Sequence, residues 1–360
     1  MHIRSLSLQN FRLYGDFKIE WDQGINIIQG RNACGKTTLL EAIYLLMTGR
    51  SFRTAQPKEL IRQGSPAFHV EAVFVKHGVD QRVSFAYDGK ERRIFYNATQ
   101  YPSTLNLLGH LQGVVIYPDD VAIAKGAPAV RRQFIDMQLG QTDPLYVHHL
   151  SRYYRAMHQR NTMLKENHVE TIGLWEQEMA KSAAYLICQR SQLLEKLDAL
   201  ASSIYDEISG GGEKLRLVYR ANGLGEHPIN DLKELQTLYS DQFARHRQRE
   251  LGLGVTLTGP HKDDFVMTLN GQETRAYGSE GQQRACVIAL RLAEWKRVHE
   301  EGDEKPLMLI DDIGISLDMS RRTHLAEKLT ALGQVWVTTA DELGMLKSSK
   351  TYRLKQTDAL

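Results

Sequence analysis

The sequence predicts an α/β fold: a domain with a mixed sheet and an antiparallel layer, interrupted by an inserted, mainly helical lobe. Three observations predict it. A glycine-rich loop follows an apolar strand near the N-terminus, and a second apolar strand, "LMLI", ends in two aspartates near the C-terminus. Between them, the chain from about residue 144 to 209 places apolar residues three and four positions apart, which is typical of amphipathic helices.

The first part of the chain is predicted to form short strands. Residues 3 to 28 alternate apolar and polar side chains in "IRSLSLQNF" and "FKIEWDQGINII". From about residue 67 to 96, three more strand-like stretches are separated by the turn signals "HGVD" and "YDGK". We expect these stretches to form the antiparallel layer, with "GVVIYP" as one further strand.

The middle of the chain is predicted to be helical. "NHVET" is the expected hinge between two antiparallel helices, and "SGGGEK" ends the second of them. The strand "LRLVYRA" and a helix at about 232–251 follow, and then the strands "VTLTG" and "DFVMTLNG" and a late helix at about 320–332. The predicted domains are therefore a split head, residues 1–130 and 252–360, and an inserted lobe, residues 131–251.

The stretch "GRNACGKTT" has the spacing of a phosphate-binding loop. Glycines let backbone N–H groups wrap phosphate oxygens, and the N-terminus of the following helix adds partial positive charge. Lys36 is predicted to reach the β- and γ-phosphates, and Thr37 to offer its hydroxyl to Mg²⁺. The alternative is an ordinary glycine-rich turn between a strand and a helix. The predicted loop comprises Gly30, Arg31, Asn32, Ala33, Cys34, Gly35, Lys36, Thr37 and Thr38.

The strand "LMLI" ends in Asp311 and Asp312, where a nucleotide site needs acidic side chains. Asp311 is predicted to hold Mg²⁺ through water, and Asp312 to act as a general base or to position water at the γ-phosphate. Together with Lys36, these two aspartates are the predicted catalytic residues. Apolar runs that end in acids are common in other proteins, so this prediction depends on the phosphate loop in the same chain.

The turn "YGSEGQQR" opens a strongly periodic helix. Backbone donors and the Ser279 hydroxyl would then lie at the positive end of that helix, which suits an anion. The alternative is a helix cap without a ligand, with Ser279 as the capping residue and Glu280 in the first turn.

Composition restricts the function only broadly. Lysine and arginine total 45 against 43 aspartate and glutamate, a net charge of +2, which argues against a uniformly basic coat for nucleic acid but allows a local basic patch. The three cysteines, Cys34, Cys188 and Cys286, lack the spacing of a zinc or redox motif. The sequence shows neither a run of about 18 apolar residues nor a signal-peptide core, so we expect a cytoplasmic protein without a membrane partner.

Several blocks, taken together, resemble the ABC-type ATPase heads of the SMC-like group, and most closely the RecF family of DNA-repair ATPases. They run in family order from about residue 3 to 340, and "GPHKDD" with "GSEGQQR" is specific to the RecF family within that group. The blocks are "LQNFRLY", "GRNACGKTTLLEAIYLL", "GRSFRT", "KGAPAVRRQFID", "YYRAMHQRNTMLK", "LTGPHKDDF", "YGSEGQQR" and "LMLIDDIGISLD".

The resemblance implies a head that binds ATP and Mg²⁺ at residues 30–37 and pairs head-to-tail with a second copy. In this ATP-dependent homodimer, Ser279, Gly281 and Gln282 of one copy would contact the γ-phosphate held by the other. The resemblance also implies a switchable clamp on single-stranded or gapped DNA that acts in DNA replication, recombinational repair and the SOS response. RecO and RecR proteins are the implied partners, and the implied enzymatic activity is weak, DNA-dependent ATP hydrolysis.

Some positions depart from the family pattern. Ile315 and Ser316 stand where the family usually has serine and glutamate, although Asp318 of the same turn is retained. The switch histidine of ABC transporters has no counterpart, and Thr338 and Thr339 take its place. No glutamine directly follows "GVVIYP". These departures predict slow hydrolysis.

Arginines that lie close after the phosphate helix and at the start of the lobe are the candidates for DNA contact. The alternative is that they belong to solvated faces and form intramolecular ion pairs with the many acidic residues. The candidates are Arg50, Arg53, Arg62, Arg131 and Arg132.

Two other functions stay open at this point. One is the ATPase subunit of an ABC transporter, which the helical insert at residues 144–251 and the missing switch histidine disfavour. The other is a small-molecule kinase, which would leave the Ser279 turn unexplained. The sequence assigns no chemical role to His261 or Asp263 of "GPHKDD".

Overall fold

The computed structural model describes residues 1–225, 231–312, 328–340 and 349–354. The chain forms two compact units. The first comprises Met1–Asp120, Ile204–Gly212 and Val287–Leu360, and the second comprises Val121–Ser203 and Glu213–Cys286. The predicted boundaries of head and lobe stay a prediction. Most of the predicted late helix, at about 320–332, lies outside the described residues. The turn with Ile315, Ser316 and Asp318 lies wholly outside them.

Most of the predicted strands and helices are present among the described residues, together with elements that the sequence did not predict, such as the helix Pro128–Thr142. The strands are β1 (His2–Phe11), β2 (Tyr14–Glu20), β3 (Ile25–Gln29), β4 (Phe68–Lys76), β5 (Val79–Tyr87), β6 (Arg92–Tyr96), β7 (Thr99–Tyr101), β8 (Gly113–Ile116), β9 (Leu215–Arg220), β10 (Asp264–Leu269), β11 (Gln272–Glu273), β12 (Leu307–Ile310), β13 (Val335–Thr339) and β14 (Ser349–Arg353). The helices are α1 (Lys36–Thr48), α2 (Ala122–Lys125), α3 (Pro128–Thr142), α4 (Pro144–Glu166), α5 (Ile172–Ser209), α6 (Leu232–Leu253), α7 (Thr274–Tyr277) and α8 (Glu280–Glu301). None of the helices in this part of the chain is long and apolar enough to cross a membrane.

An antiparallel sheet of six strands forms one layer of the first unit, in the order β2-β1-β4-β5-β6-β7. Along β4, every second side chain from Phe68 to Phe74 is buried, because successive residues of a strand point to opposite faces. The predicted antiparallel layer is thus present, and its stretches between residues 67 and 96 form β4, β5 and β6.

A parallel sheet of five strands forms the second layer of the first unit, in the order β14-β3-β13-β12-β8. All four residues of β8 and of β12 and all five of β13 are buried, as expected for parallel strands that are covered on both faces. Strand β13 lies between β3 and β12, and its Val337 pairs with both Ile27 and Ile310. The carboxyl ends of these three strands therefore meet at one edge of the sheet.

Helix α1 supplies the centre of the core of this unit. Leu39, Leu40 and Ile43 are fully buried against side chains of both sheets, including Leu8 and Leu309. Burial of each such side chain contributes roughly 1.5–3 kcal/mol. The helix that follows the glycine-rich loop is thus held rigidly by its apolar residues, and the loop before it is held with it.

The second unit contains the long helices that the periodicity predicts. Helix α4 begins after Asp143, whose carboxylate accepts a hydrogen bond from the backbone N–H of Leu145, and it ends at Asn167 in the left-handed conformation. Helix α5 follows from Ile172 to Ser209, so the predicted hinge "NHVET" and the predicted end at "SGGGEK" are confirmed. Strands β9, β10 and β11 form a small antiparallel sheet in the same unit.

The predicted strand "VTLTG" is wrong. Residues 255–259 lie outside any strand, and side chains of the second unit accept hydrogen bonds from several of their backbone N–H groups. Asn161 accepts from the N–H of Thr256 at 2.9 Å, and Glu250 accepts from that of Leu257 at 2.6 Å. These partners come from α4 and α6, so these two donors are paired without a neighbouring strand.

Candidate nucleotide-phosphate site

The loop between β3 and α1 needs glycine at both Gly30 and Gly35 for steric reasons. Gly35 caps α1 with φ 98°, and an ideal Cβ there would lie 2.6 Å from the Tyr14 hydroxyl oxygen. An ideal Cβ at Gly30 would lie 2.5 Å from the Cys34 sulfur. The backbone N–H of Gly30 donates to the carbonyl of Thr339 at 3.3 Å, which joins the loop to β13. The absence of a Cβ at Gly30 and Gly35 therefore lets the loop pack closely against Cys34 and Tyr14.

The loop presents positive charge. The first N–H groups of α1 have no acceptor within the helix, and its first turn carries no acidic residue. The Lys36 ammonium donates to the carbonyls of Gly30 at 2.7 Å and Arg31 at 3.0 Å, so the side chain folds back over the loop. An anion at this helix end would meet both the backbone donors and the lysine.

The structure brings together Thr37 and the first of the two predicted acids. The Thr37 hydroxyl donates to the carboxylate oxygens of Asp311 at 2.9 and 3.0 Å. Hydroxyl and carboxylate oxygens are the ligands that Mg²⁺ prefers, so this pair fits the predicted metal. Asp312 follows directly, with φ 56°, and its backbone N–H donates to the Thr338 hydroxyl at 2.8 Å.

The other residues of the loop differ in exposure. Arg31, Asn32 and Ala33 are exposed, whereas Cys34 and Thr38 are buried. Cys34 is only 3% exposed, so the protein itself shields the thiol from solvent. Alkylation of this cysteine is therefore a weak reporter of ligand binding.

The Ser279 turn forms a reciprocal helix cap in the second unit. The Ser279 hydroxyl accepts from the backbone N–H of Gln282 at 3.2 Å, and the Gln282 side chain accepts from the backbone N–H of Ser279 at 2.8 Å. Gln282 also donates to Glu213 at 2.5 Å. Ser279 is exposed, and Gly281 and Gln282 are partly exposed. The cap accounts for the local conformation and leaves the serine at the surface.

The predicted DNA-contacting arginines have different environments. Arg50 is exposed and Arg62 is partly exposed, and the side chain of Arg53 is 45% exposed although it contacts Glu41. Arg131 is 3% exposed and binds Asp264 through two N–H groups at 2.6 and 3.0 Å. Arg132 donates to the backbone carbonyl of Asp263 at 2.8 Å. Arg131 and Arg132 are not part of the DNA surface proposed below, because their guanidinium groups bind acceptors within the second unit.

Sequence reasoning missed Glu41. This carboxylate on α1 is fully buried and accepts hydrogen bonds from Arg12 at 2.7 and 3.0 Å, from Ser51 at 2.5 Å and from Arg53 at 3.3 Å. It therefore joins the helix that follows the phosphate loop to the segment that carries Arg53. A glutamate among core positions of a helix was the only signal for it in the sequence.

The "GPHKDD" block has a structural role in the second unit. Asp263 is fully buried and accepts from Arg190 at 2.8 Å, from Tyr219 at 2.5 Å and from the backbone N–H of Asn222 at 2.8 Å. Nδ1 of His261 lies 2.7 Å from the Tyr153 hydroxyl oxygen, and Nε2 lies 3.1 Å from the carbonyl oxygen of Thr256. Since a carbonyl only accepts, the proton lies on Nε2, and Nδ1 accepts from the tyrosine.

Burial of His261 predicts acid sensitivity. Burial lowers the pKa of His261 to about 4 from its ordinary 6.5. Between these two pH values the imidazole is protonated in the unfolded chain but stays neutral in the folded protein. We expect stability to be lost as the pH falls from 6.5 towards 4, by up to about 1.4 kcal/mol per pH unit for this group. Urea unfolding at several pH values in this window, compared between wild type and His261→Gln, measures the effect.

The glutamine variant should flatten the acid limb of the profile, because it keeps a donor and an acceptor but does not titrate. His158→Gln, at an exposed histidine of the same unit, is the matched control and should leave the slope unchanged. Equal slopes for wild type and His261→Gln would contradict the prediction.

The fold and the site define the class of protein. A glycine-rich loop on β3 and α1, an acidic strand end on β12 and a parallel sheet beside an antiparallel one make this an ABC-type P-loop ATPase head with an inserted, mainly helical lobe. The fold class predicted from the sequence is confirmed.

The comparisons with known proteins identify the family. The family model described as RecF/RecN/SMC N terminal domain matches residues 2–359. The DNA replication and repair protein RecF of Protochlamydia amoebophila (strain UWE25) is 49% identical over 342 residues, which are 95% of this chain and 94% of the relative. The chain belongs to the RecF family, and the resemblance stated from the sequence is confirmed.

Two further comparisons agree. The DNA replication and repair protein RecF of Geobacillus thermodenitrificans (strain NG80-2) is 35% identical in an alignment of length 364 that covers 98% of each protein. The solved structure of the recombination mediator protein RecF-ATPrS in the RecFOR pathway superposes with a TM-score of 0.90 at 30% identity, covering 98% of this chain and 96% of that one.

Proposed function

We propose that this protein is an ATP-dependent DNA-binding protein of DNA replication and recombinational repair, in which ATP drives the formation of a head-to-tail homodimer that clamps single-stranded or gapped DNA. The observation that carries the proposal is the contact between Thr37 and Asp311 at the mouth of the glycine-rich loop. It combines a phosphate cradle and a place for a divalent cation in one site. Membership of the RecF family supports the choice of DNA repair among the functions of P-loop proteins.

ATP would bind with its phosphates along residues 30–38. The backbone donors at the start of α1 and the ammonium of Lys36 would neutralise phosphate charge. Thr37 and Asp311 would hold Mg²⁺, which supplies further neutralisation of the β- and γ-phosphates when it is bound. Asp312 is proposed to position water at the γ-phosphate. A RecF protein solved with an ATP analogue supports the choice of nucleotide.

The dimer is proposed to complete the site. Ser279, Gly281 and Gln282 of a second copy would approach the γ-phosphate from the opposite side, and the exposure of Ser279 leaves its hydroxyl accessible to a partner. Because the ligand would bind the closed pair better than the separate copies, ATP would shift the equilibrium towards the dimer. Slow, DNA-dependent hydrolysis would then reset it.

DNA is proposed to contact the first unit through Arg50, Arg53 and Arg62. Arginines near the phosphate backbone bind without reading sequence, so a protein of nearly neutral net charge can still hold DNA with a local patch. Glu41 joins Arg53 to the helix of the phosphate loop, which offers a physical connection between the two ligands. We propose RecO and RecR proteins as partners, the SOS response as one setting and the cytoplasm as the compartment.

The experiment that tests the proposal is analytical sedimentation of the full chain with and without Mg-ATP, each with and without a labelled single strand. We expect a dimer only with Mg-ATP, and DNA in the dimer peak, because closure would create the binding groove. Monomers that bind DNA equally well without ATP would overturn the proposed switch.

A charge-reversed pair tests the DNA arm of the same experiment. Arg50→Glu with Arg53→Glu should keep the ATP-dependent dimer, weaken DNA binding and reduce the slope of log affinity against log salt by about two. Arg216→Glu with Arg220→Glu, at arginines that are 54% and 58% exposed in the second unit, is the matched control. If both pairs leave the salt slope unchanged, Arg50 and Arg53 do not contact DNA.

A further inference from the structure

Thr338 lies at the point where the three strands of the site meet. It is fully buried on β13, where it pairs with Ile28 of β3 one residue beyond the pairing of Val337 with Ile310 of β12. The phosphate loop follows β3, and the two aspartates follow β12. A side chain at this position can therefore reach the acidic residues from a central, rigid strand.

The hydroxyl of Thr338 forms hydrogen bonds with both aspartates. It donates its single proton to an oxygen of Asp311 at 2.7 Å and accepts the backbone N–H of Asp312 at 2.8 Å. The same oxygen of Asp311 also accepts from Thr37 at 2.9 Å. Among the described residues, Thr37 and Thr338 are the side chains seen to donate to this carboxylate, and only Thr338 does so from a fully buried position.

We propose that Thr338 is a positioning residue for the nucleotide-bound cation: its hydroxyl fixes the Asp311 carboxylate in the orientation that faces Thr37 and holds the turn at Asp312. Here the hydroxyl proton cannot be given to a phosphate without being taken from Asp311. Thr338 thus acts through the aspartates.

The turn at Asp312 supports this assignment. Asp312 has φ 56°, a left-handed conformation that is uncommon for a residue other than glycine. The bond from its N–H to Thr338 holds this conformation where the chain leaves β12. The same hydroxyl therefore sets the direction of two successive acidic side chains, one through its carboxylate and one through its backbone.

The inference rests on the proposed function, and its test separates the two. The affinity of a fluorescent ATP analogue is measured with Mg²⁺ and with a chelator for wild type, Thr338→Val, Thr338→Ser and Thr48→Val. Valine keeps the shape of threonine but removes the hydroxyl, and serine restores it. Thr48 is a buried threonine of α1 whose hydroxyl bonds backbone atoms of Tyr44 and Arg50, so its replacement controls for the loss of a buried hydroxyl elsewhere in the unit.

The Mg²⁺-dependent gain in affinity should fall about 10- to 100-fold in Thr338→Val, because partners that orient a metal ligand have effects of this size. Affinity in the chelator should be unchanged, since the phosphate loop is intact. Thr338→Ser and Thr48→Val should behave as wild type. Thr338→Cys, whose thiol bonds weakly, serves as a second variant if valine reduces the yield of folded protein, and its Mg²⁺-dependent gain should lie between those of serine and valine.

Thermal unfolding of the same proteins separates positioning from a purely structural role. A valine variant that is less stable but keeps the full Mg²⁺-dependent gain overturns the inference and leaves the proposed function standing. Wild-type protein without any Mg²⁺-dependent binding of the analogue overturns the proposed function, and the inference with it.

Discussion

Replacement of Lys36 by methionine is expected to weaken Mg-ATP binding by about 10- to 100-fold and to abolish the ATP-dependent dimer at concentrations where wild type is paired. The ammonium lies over the loop, held by the carbonyls of Gly30 and Arg31 at 2.7 and 3.0 Å. These two bonds use two of the three N–H donors of the Lys36 ammonium. A hydrogen bond to a charged group is worth about 1.5–3 kcal/mol, which corresponds to this range of affinities.

Calorimetric titration with Mg-ATP and sedimentation of the same samples measure the two effects. Lys18→Met, at an exposed lysine of β2, is the matched control and should bind and dimerise as wild type. If Lys36→Met binds Mg-ATP with wild-type affinity, the loop is not part of the nucleotide site. Weak binding together with a normal dimer would instead show that pairing does not depend on ATP held at this loop.

The phosphate site was largely predictable from the sequence because its geometry depends on local features. Gly30, Gly35 and Lys36 are close in sequence, and a strand before them and an apolar helix after them fix the loop. The contact of Thr37 with Asp311 joins distant positions, but the rule that parallel strands end at one edge of a sheet made it predictable. The functional roles of these residues stay predictions.

Features that depend on long-range partners of side chains could not be predicted. The pattern of "VTLTG" favours a strand, yet Asn161 and Glu250 replace the neighbouring strand as hydrogen-bond acceptors. Arg131 is an ordinary basic residue in the sequence, and only the fold brings Asp264 to it. In the sequence, Thr338 and Thr339 only stand in place of a switch histidine, whereas the bonds of Thr338 to both aspartates depend on the register of β13 with its neighbours.

Replacement of Arg190 by methionine is expected to destabilise the second unit by about 3–5 kcal/mol, the cost of breaking a buried ion pair from one side. This arginine of α5 is fully buried and bonds the carboxylates of Asp136 and Asp263 at 2.8 Å, the carbonyl of Pro260 at 2.7 Å and the hydroxyl of Tyr146 at 3.0 Å. Its removal leaves the fully buried carboxylate of Asp263 and the partly buried one of Asp136 without this cation. It would thus weaken the attachment of α3 and α4 to the "GPHKDD" block, which Arg131 and Tyr153 also contact.

Hydrogen exchange followed by mass spectrometry locates this effect, because it reports each unit separately. In Arg190→Met, peptides from α3, α4 and β10 should exchange faster, while peptides from β1 and β4 of the first unit keep their protection. Arg190→Lys should fall in between, since an ammonium keeps the charge but cannot form the same set of bonds. Arg216→Met removes an ion pair whose arginine is 54% exposed in the same unit and should change little. Equal protection of α3 in wild type and Arg190→Met would mean that Arg190 does not hold α3 to the "GPHKDD" block.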